Sequence, residues 1–238
     1  MNQLFVIHII LITAALAGSL SVLAFKLKFS ANLKIINSFS GSFLLAICVL
    51  HLIPEIYTNY SSQVGIFILL GFLLQLLLEF FSEGIEHGHF HAHNHHLAAF
   101  PYAVFMSLCI HSFIEGMALT DNEHAEYSHF PLLLGIVIHK IPIAIVLSSM
   151  LLTKNIHRSL YFVAIVIFAL SAPLGLLVAS SHILPFVENE TIFLAFAVGI
   201  FLHISTTILF ETADNHKFNL KKFLVVILGF LIAMLTVQ

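Results

Sequence analysis

Charged residues are scarce in this sequence. Asp, Glu, Lys and Arg make up only 9% of the 238 residues, whereas hydrophobic residues make up 60% and the mean hydropathy is +1.05. A soluble domain carries about 25% charged residues, because water must solvate its surface. The composition therefore excludes a soluble globular protein. It predicts an all-α integral membrane protein whose surface contacts the lipid bilayer.

Cysteine and clustered basic residues are scarce too. Cys48 and Cys109 both lie in apolar runs and show no CxxC spacing, so nothing indicates a disulfide framework or a thiolate metal site. We expect two buried, small apolar side chains. The sequence contains no basic cluster or aromatic platform, and nucleic acid is therefore not an expected partner.

Eight apolar runs approach about 20 residues, the length that a helix needs to cross a bilayer. We call them spans 1 to 8, and they cover residues 4–25, 39–57, 64–82, 98–119, 130–152, 159–180, 191–212 and 221–238. The first run lacks the basic start and the cleavage site of a signal peptide, so we expect it to remain as span 1. The sequence therefore predicts one transmembrane domain over residues 1–238.

Basic residues are concentrated in alternate loops. Eight of the nine Lys and Arg residues lie in or beside the loops after spans 1, 5 and 7, and the loops after spans 2, 4 and 6 contain none. Because cytoplasmic loops retain Lys and Arg, the odd-numbered loops are predicted to be cytoplasmic. Both termini are then non-cytoplasmic, and we expect the cell (inner) membrane as the location.

The loop after span 3, residues 83–97, is rich in histidine. Six of ten consecutive residues are histidines, namely His87, His89, His91, His93, His95 and His96. Imidazole binds zinc, copper, nickel and iron, and small residues between the histidines let a loop wrap around a cation. We expect a cytoplasmic loop that collects metal ions, and a solvated linker is the alternative.

Spans 4 and 5 contain ionisable residues far from their ends. His111 and Glu115 in span 4 are four residues apart and share a helix face. A short loop makes the two spans antiparallel neighbours, which places His139 of span 5 at a similar depth. An ionisable group at a helix centre costs about 2.5 kcal/mol or more unless it is paired, solvated or metal-bound. These three side chains are therefore predicted to bind a metal ion.

Pro142 lies three residues after His139. Proline has no N–H and clashes with the preceding turn. We therefore expect a helix break in span 5 near His139. The break would free a backbone carbonyl, and this carbonyl or water would complete the metal shell.

At these residues the chain resembles the ZIP (Zrt/Irt-like) family of divalent-metal transporters. The family signature His-[Ser/Asn]-x-x-Glu-Gly in span 4 is matched by residues 111–116, and His-[Glu/Lys]-x-Pro in span 5 is matched by residues 139–142. Residues 51–55 look like the His-Leu-x-Pro-Glu pattern of span 2, and residues 171–175 look like the family pattern of span 6. The resemblance covers essentially the whole chain.

The resemblance implies eight transmembrane helices in which spans 1–3 and 6–8 form inverted repeats around spans 4 and 5. It also implies transport by alternating access, with one helix bundle moving against the other. The expected substrate is Zn²⁺, imported into the cytoplasm, and Fe²⁺, Mn²⁺ and Cd²⁺ are further candidates. No cofactor is expected, and a homodimer is left open.

Lys140 departs from the family pattern. Many members have carboxylates or further histidines in this part of span 5 and bind two metals side by side, whereas this chain has Lys140, Ile143 and Ala144. A lysine ammonium can take the place of a second cation and balance the charge of Glu115. Leu44, where some relatives have a further ligand, cannot coordinate. We therefore expect one metal in the site rather than two.

Further polar residues lie toward the ends of the spans. His51 and Glu55 are predicted at the entrance, with interfacial capping as the alternative, and Glu79 is expected to be solvated at the membrane interface. An exit path toward the cytoplasm is predicted for His203, Glu211 and Asp214.

Two other functions use similar residues. An intramembrane zinc metalloenzyme is disfavoured, because no His-Glu-x-x-His pattern is present and no lumenal domain is available to bind a substrate. A metal sensor would need a signalling domain, and every loop is too short to contain one. The sequence therefore predicts a transporter rather than an enzyme.

Overall fold

In the computed structural model, every regular element of the described residues is helical. The described residues are 3–25, 31–59, 64–82, 84, 100–120, 130–154, 156–181, 191–211 and 219–237. The helices are α1 (Gln3–Phe25), α2 (Ala31–Ile47), α3 (Ile53–Asn59), α4 (Val64–Ser82), α5 (Tyr102–Met117), α6 (Phe130–Thr153), α7 (Arg158–Ser180), α8 (Thr191–Glu211) and α9 (Leu220–Thr236), with a π-helical turn at Cys48–Leu52. The all-α prediction is confirmed for these residues. The histidine tract of the third loop and Asp214 lie outside them.

Among the described residues, six helical stretches are long and apolar enough to cross a membrane. Five are α1, α4, α6, α7 and α8, and the sixth is the continuous rod of α2, the π-helical turn and α3. α5 has 16 residues and α9 has 17, so they are the short members of the eight predicted spans. The chain is therefore an integral membrane protein.

α4 shows how a helix of this protein divides between lipid and neighbouring helices. Its exposed stripe consists of large apolar side chains at helical spacing, namely Leu69, Leu73, Leu76 and Phe80. Its opposite face buries Gly71, Gln75, Leu78 and Ser82. Lipid is as apolar as leucine, so helix contacts in a membrane gain from small residues that permit close approach and from polar residues that hydrogen-bond.

The second rod begins earlier than predicted. α2 starts at Ala31 rather than at residue 39, although residues 31–42 include three serines. The hydroxyl of Ser38 donates to the carbonyl oxygen of Lys34 at 2.8 Å, and that of Ser42 donates to the carbonyl oxygen of Phe39 at 2.9 Å. These bonds satisfy the hydroxyls inside the helix, so the polar stretch remains helical and buried.

A π-helical turn at Cys48–Leu52 connects α2 to α3. The N–H of Ile53 donates to the carbonyl oxygen of Cys48, five residues earlier. Pro54 follows directly, and in an α-helix its ring would clash with the carbonyl of Leu50. The extra residue in the turn relieves this clash, which is a physical reason for the irregularity. Such turns are frequent at functional sites.

The helices pack as two bundles. In the first bundle α5 packs against α7, and α1 packs against α6 and α7; in the second, α4 packs against α8, α2 packs against α8 and α9, and α3 contacts α8. One hydrophobic cluster is built from the first bundle alone and includes Ala15, Leu108, Leu147 and Phe168. The bundles meet where α2 packs on α6 and where α4 and α8 pack on α5.

Glycines make the closest helix contacts. A Cβ on Gly116 of α5 would lie 1.9 Å from the carbonyl oxygen of Ala172 in α7, and one on Gly175 of α7 would lie 1.9 Å from that of Phe113 in α5. In the second bundle, a Cβ on Gly71 of α4 would meet the backbone of α8 equally closely. A side chain at any of these three positions would force the neighbouring helix to shift, because backbone occupies the space.

Candidate metal centre

Three ionisable side chains meet on the side of the first bundle that faces the second. His111 and Glu115 lie one turn apart on α5, His139 lies on α6, and each side chain is about 1% exposed. One ligand atom from each residue lies within 4.8 Å of the other two. Within the described ranges, this is the one group of three or more His, Cys, Asp or Glu side chains that could hold a metal ion. The structure thus brings together the three ligands predicted from the sequence.

The two imidazole rings stand almost at right angles. Their centroids are 5.8 Å apart and their planes are inclined by 85°. On α5, Nε2 of His111 lies 3.1 Å from Oε1 of Glu115. Two ring nitrogens and one carboxylate oxygen form a donor set that suits zinc and leaves a coordination position for water or another ligand.

Each imidazole is also held by a residue of the second bundle. Nδ1 of His111 donates to Oε1 of Gln75 at 3.2 Å, and Nδ1 of His139 lies 3.2 Å from Oγ of Ser40. Gln75 on α4 and Ser40 on α2 are both fully buried. The sequence patterns had identified neither residue. Gln75 carried a signal, since a glutamine within an apolar span needs a hydrogen-bonding partner.

The hydrogen bond to Gln75 fixes the position of the proton on His111. An amide oxygen only accepts, so Nδ1 carries the hydrogen and Nε2 of the neutral ring presents a lone pair. This lone pair and Oε1 of Glu115 are then two acceptors that lie 3.1 Å apart. Two facing acceptors require a cation between them, which a proton or a metal ion can supply. The geometry is compatible with a metal site.

Lys140 pairs with the second oxygen of the same carboxylate. Its Nζ donates to Oε2 of Glu115 at 2.7 Å and to Oγ of Ser112 at 2.8 Å. The ammonium also lies 5.5 Å from the centroid of the Phe168 ring. A carboxylate buried in a membrane is costly without a countercharge. Lys140 provides that countercharge from the neighbouring helix.

The sequence matches a known protein family. The family model described as ZIP Zinc transporter matches residues 87–236, which is more than half of the chain and includes all three ligands.

The chain belongs to the ZIP family. Curated relatives agree: the protein named Zinc transporter ZIP9 from Xenopus tropicalis is 25% identical over 159 residues, which cover 63% of this chain and 52% of the relative. Zinc transporter ZIP9-B from Xenopus laevis gives the same values. Zinc transporter ZIP9 from Micropogonias undulatus is 24% identical over 63% of this chain and 51% of the relative. The chain spans about half the length of these ZIP relatives.

α6 of this ZIP protein does not break at Pro142. The helix runs without interruption from Phe130 to Thr153, with the buried proline inside it, so the predicted helix break is wrong. α6 packs against α2 before the proline, where Gly135 meets Leu44, and against α1 after it, where Ala144 meets Gly18. Proline still provides no N–H, so the α-helical bond to the carbonyl of Ile138 is not made. That carbonyl lies directly before His139.

Two further histidine–carboxylate contacts lie in the second bundle. Nε2 of His51 is 3.9 Å from Oε2 of Glu55, and Nε2 of His203 on α8 is 3.3 Å from Oε2 of Glu79 on α4. The side chain of Glu79 is 20% exposed, so it is partly buried while it contacts His203. Glu211 is the last residue of α8. None of these residues belongs to the three-residue metal centre.

Proposed function

We propose that this chain carries divalent metal ions, Zn²⁺ foremost, across a membrane through the site of His111, Glu115 and His139. The observation that carries the proposal is the burial of two imidazoles and one carboxylate between apolar helices of a ZIP family member. Such a group is costly in a membrane unless a cation binds it or passes through it. The relatives named as zinc transporters support the same function.

The donor set favours zinc among the candidate ions. Imidazole nitrogen suits zinc and iron, whereas manganese prefers sites built from oxygen donors. Fe²⁺, Mn²⁺ and Cd²⁺ are further substrates in the proposal, because selectivity also depends on site geometry and on which metal is available. Competition between these ions for uptake would rank them.

We infer that one metal ion binds at this site at a time. Oε1 of Glu115 faces His111, while Oε2 is 2.7 Å from the ammonium of Lys140. A second divalent ion would have to bind the same carboxylate from the side that the ammonium occupies. Like charges this close repel strongly in a medium of low dielectric constant. Lys140 therefore acts as a fixed cation in place of a second metal.

Matching helix contacts support an inverted repeat. Gly18 of α1 approaches the carbonyl oxygen of Ile141 on α6, and Gly175 of α7 approaches that of Phe113 on α5. Both carbonyls lie two residues after the site histidine of their helix. If span 1 corresponds to span 6 and span 4 corresponds to span 5, as an inverted repeat requires, the contact of α1 with α6 corresponds to the contact of α7 with α5. We propose that the two bundles move against each other and open the site to one side at a time.

The contact between Glu79 and His203 supports a path from the site toward the cytoplasm. Glu79 follows Gln75 by four residues, so about one helical turn separates it from the residue that holds His111. The distribution of basic residues predicts that this end of α4 is cytoplasmic, and import is the direction of transport that we propose. The proposed path runs from His51 and Glu55 at the outer end to His203, Glu211 and Asp214 at the inner end.

The histidine tract at residues 87–96 is proposed to collect metal ions without forming the translocation site. Changing its six histidines to serine should leave most of the zinc uptake by reconstituted vesicles intact, because the three ligands of the site remain. Near-complete loss of uptake would instead place the tract on the transport path.

Uptake by reconstituted vesicles tests the proposed function. Liposomes with the purified protein are expected to accumulate radioactive zinc, and His111→Ala should reduce the accumulation to that of protein-free liposomes. His8→Ala is the matched control, since His8 on α1 contacts the carbonyl oxygen of Leu4 within its own helix. Wild-type uptake by His111→Ala would refute the site. Absence of zinc movement through folded wild-type protein would refute the function.

A further inference from the structure

Gln75 and Ser40 contact the two imidazoles of the site from outside the bundle that carries the metal ligands. His111 and His139 belong to α5 and α6 of the first bundle, whereas Gln75 belongs to α4 and Ser40 to α2 of the second bundle. Each makes a 3.2 Å contact with the Nδ1 atom of its histidine. Both side chains are fully buried, so water does not compete for these contacts.

The third ligand is held differently. Oε2 of Glu115 accepts from the ammonium of Lys140 on α6, and this ammonium also donates to Ser112 on α5, so both residues belong to the first bundle. Phe168, which lies under the ammonium of Lys140, is on α7 of the same bundle. The carboxylate therefore keeps its partners wherever the second bundle lies, whereas the orientation of both imidazoles depends on the second bundle.

The protonated nitrogen of each ring determines whether the other nitrogen can bind a metal. A hydrogen bond from Nδ1 keeps the lone pair on Nε2 and fixes the plane of the ring, and loss of such an outer partner commonly costs ten- to hundredfold in metal affinity. Gln75 selects the proper tautomer of His111, because its amide oxygen cannot donate. Ser40 restricts the ring of His139 in the same way when Nδ1 donates to its hydroxyl.

We propose that Gln75 and Ser40 are positioning residues that orient His111 and His139 for metal binding from the opposite bundle. The inference rests on the proposed metal site and adds two residues that touch no metal themselves. Metal affinity then depends on how the two bundles lie relative to each other, since a displacement of the second bundle removes both contacts together. The charge balance at Glu115 is unaffected by the same displacement.

Zinc binding and zinc uptake by matched variants test the proposal. All proteins carry serine at the six loop histidines, so that binding reports the membrane site. Gln75→Met keeps the length of the side chain without the acceptor, and Gln75→Glu keeps an acceptor oxygen. Ser40→Ala removes the hydroxyl. Ser38→Ala is the control, because Ser38 is equally buried on α2 but donates to the carbonyl oxygen of Lys34.

Gln75→Met and Ser40→Ala are each expected to weaken zinc binding, measured by competition with a chelating dye, by about tenfold or more. In these two variants the KM for uptake should rise by a similar factor, with a smaller change in kcat. Gln75→Glu should recover most of the zinc affinity. Ser38→Ala should match the parent protein. Unchanged binding and KM in Gln75→Met and Ser40→Ala, with binding abolished by His111→Ala, would overturn the inference and leave the site intact. Retained binding in His111→Ala would overturn the proposed site itself. If Gln75→Met does not fold, Ser40→Ala against Ser38→Ala decides the matter.

Discussion

α5 and α6 carry one pattern in the same register, yet their charges are opposite. Residues 111–116 read His-Ser-Phe-Ile-Glu-Gly, and residues 139–144 read His-Lys-Ile-Pro-Ile-Ala. The two histidines occupy corresponding positions. In each helix, a glycine of a neighbouring helix packs against the carbonyl two residues after the histidine. Glu115 of α5, however, corresponds to Ile143 of α6, and Ser112 corresponds to Lys140.

The comparison separates the residues that allow close helix packing from the residues that carry charge. A neighbouring helix approaches both helices closely, and both have a small residue, Gly116 or Ala144, five residues after the histidine. The carboxylate of α5 and the ammonium of α6 then meet at 2.7 Å. A pair of similar helices thus contains an unequal site, in which a lysine occupies one cation position and we propose that a metal occupies the other.

Removing the negative charge of Glu115 should have the largest effect on transport and stability. Glu115→Ala should abolish zinc uptake, because the site loses a ligand and Lys140 remains as a buried charge without a carboxylate. The unpaired charge should also destabilise the protein by about 3–5 kcal/mol. Vesicle uptake and the unfolding temperature in detergent measure the two effects.

Ile143→Ala is the control for this change, since Ile143 is the α6 counterpart of Glu115 and is 3% exposed. It should lower stability by about 2–5 kcal/mol through a cavity while uptake by the folded protein persists. Equal loss of uptake in both variants would show that the two helices contribute packing rather than distinct charges.

Reversing the charge of α6 should convert the unequal site into an equal one. Lys140→Glu puts a second carboxylate beside Glu115, so the number of zinc ions bound per chain should rise from one to two. Elemental analysis after equilibrium dialysis, with serine at the six loop histidines, provides the count. Lys140→Met removes the charge without adding a ligand and should remain at one. Two ions bound by the wild-type site would contradict the role assigned to Lys140.

The sequence was sufficient to single out the three clustered side chains because membrane burial makes ionisable residues conspicuous. His111, Glu115 and His139 stand out in apolar runs, and helical spacing with an antiparallel connection predicts that they meet. The apolar runs also predicted the number of helical rods. This reasoning uses only periodicity and the cost of charge in lipid.

The contacts between distant helices could not be predicted in the same way. Gln75 reaches His111 and Glu79 reaches His203 because α4 packs between α5 and α8, and a single sequence does not reveal which helices touch. The helix break predicted at Pro142 was wrong because the structure accommodates proline inside a helix. Both Pro54 and Pro142 lie inside continuous helical rods, the first through a π-helical turn and the second by packing.

Substitutions of Gly116 and Ala144, the small residues after the two histidines, test the close helix packing and should have smaller effects. Gly116→Ala should lower stability by about 1–3 kcal/mol, because its Cβ would collide with the carbonyl oxygen of Ala172. Ala144→Gly on α6 should cost about 1 kcal/mol, mainly from the flexibility of glycine in a helix. Unfolding temperatures of the two variants in the same detergent give the order. A larger loss for Ala144→Gly would contradict the close contact at α7.

The smallest expected effect concerns the aromatic ring beside the lysine. Phe168 lies seven residues before Gly175 on α7, and the corresponding position before Gly18 on α1 is Leu11; both side chains are fully buried. Phe168→Leu makes the two outer helices alike and removes the ring that lies 5.5 Å from the ammonium of Lys140. Of the resulting loss of stability, about 0.5–2 kcal/mol should come from the cation–π contact. The same change in a Lys140→Met background should cost less by that amount, and uptake by Phe168→Leu should persist because all three ligands remain. An equal cost in both backgrounds would mean that the ring only fills space and that the charge of α6 is held by Glu115 and Ser112 alone.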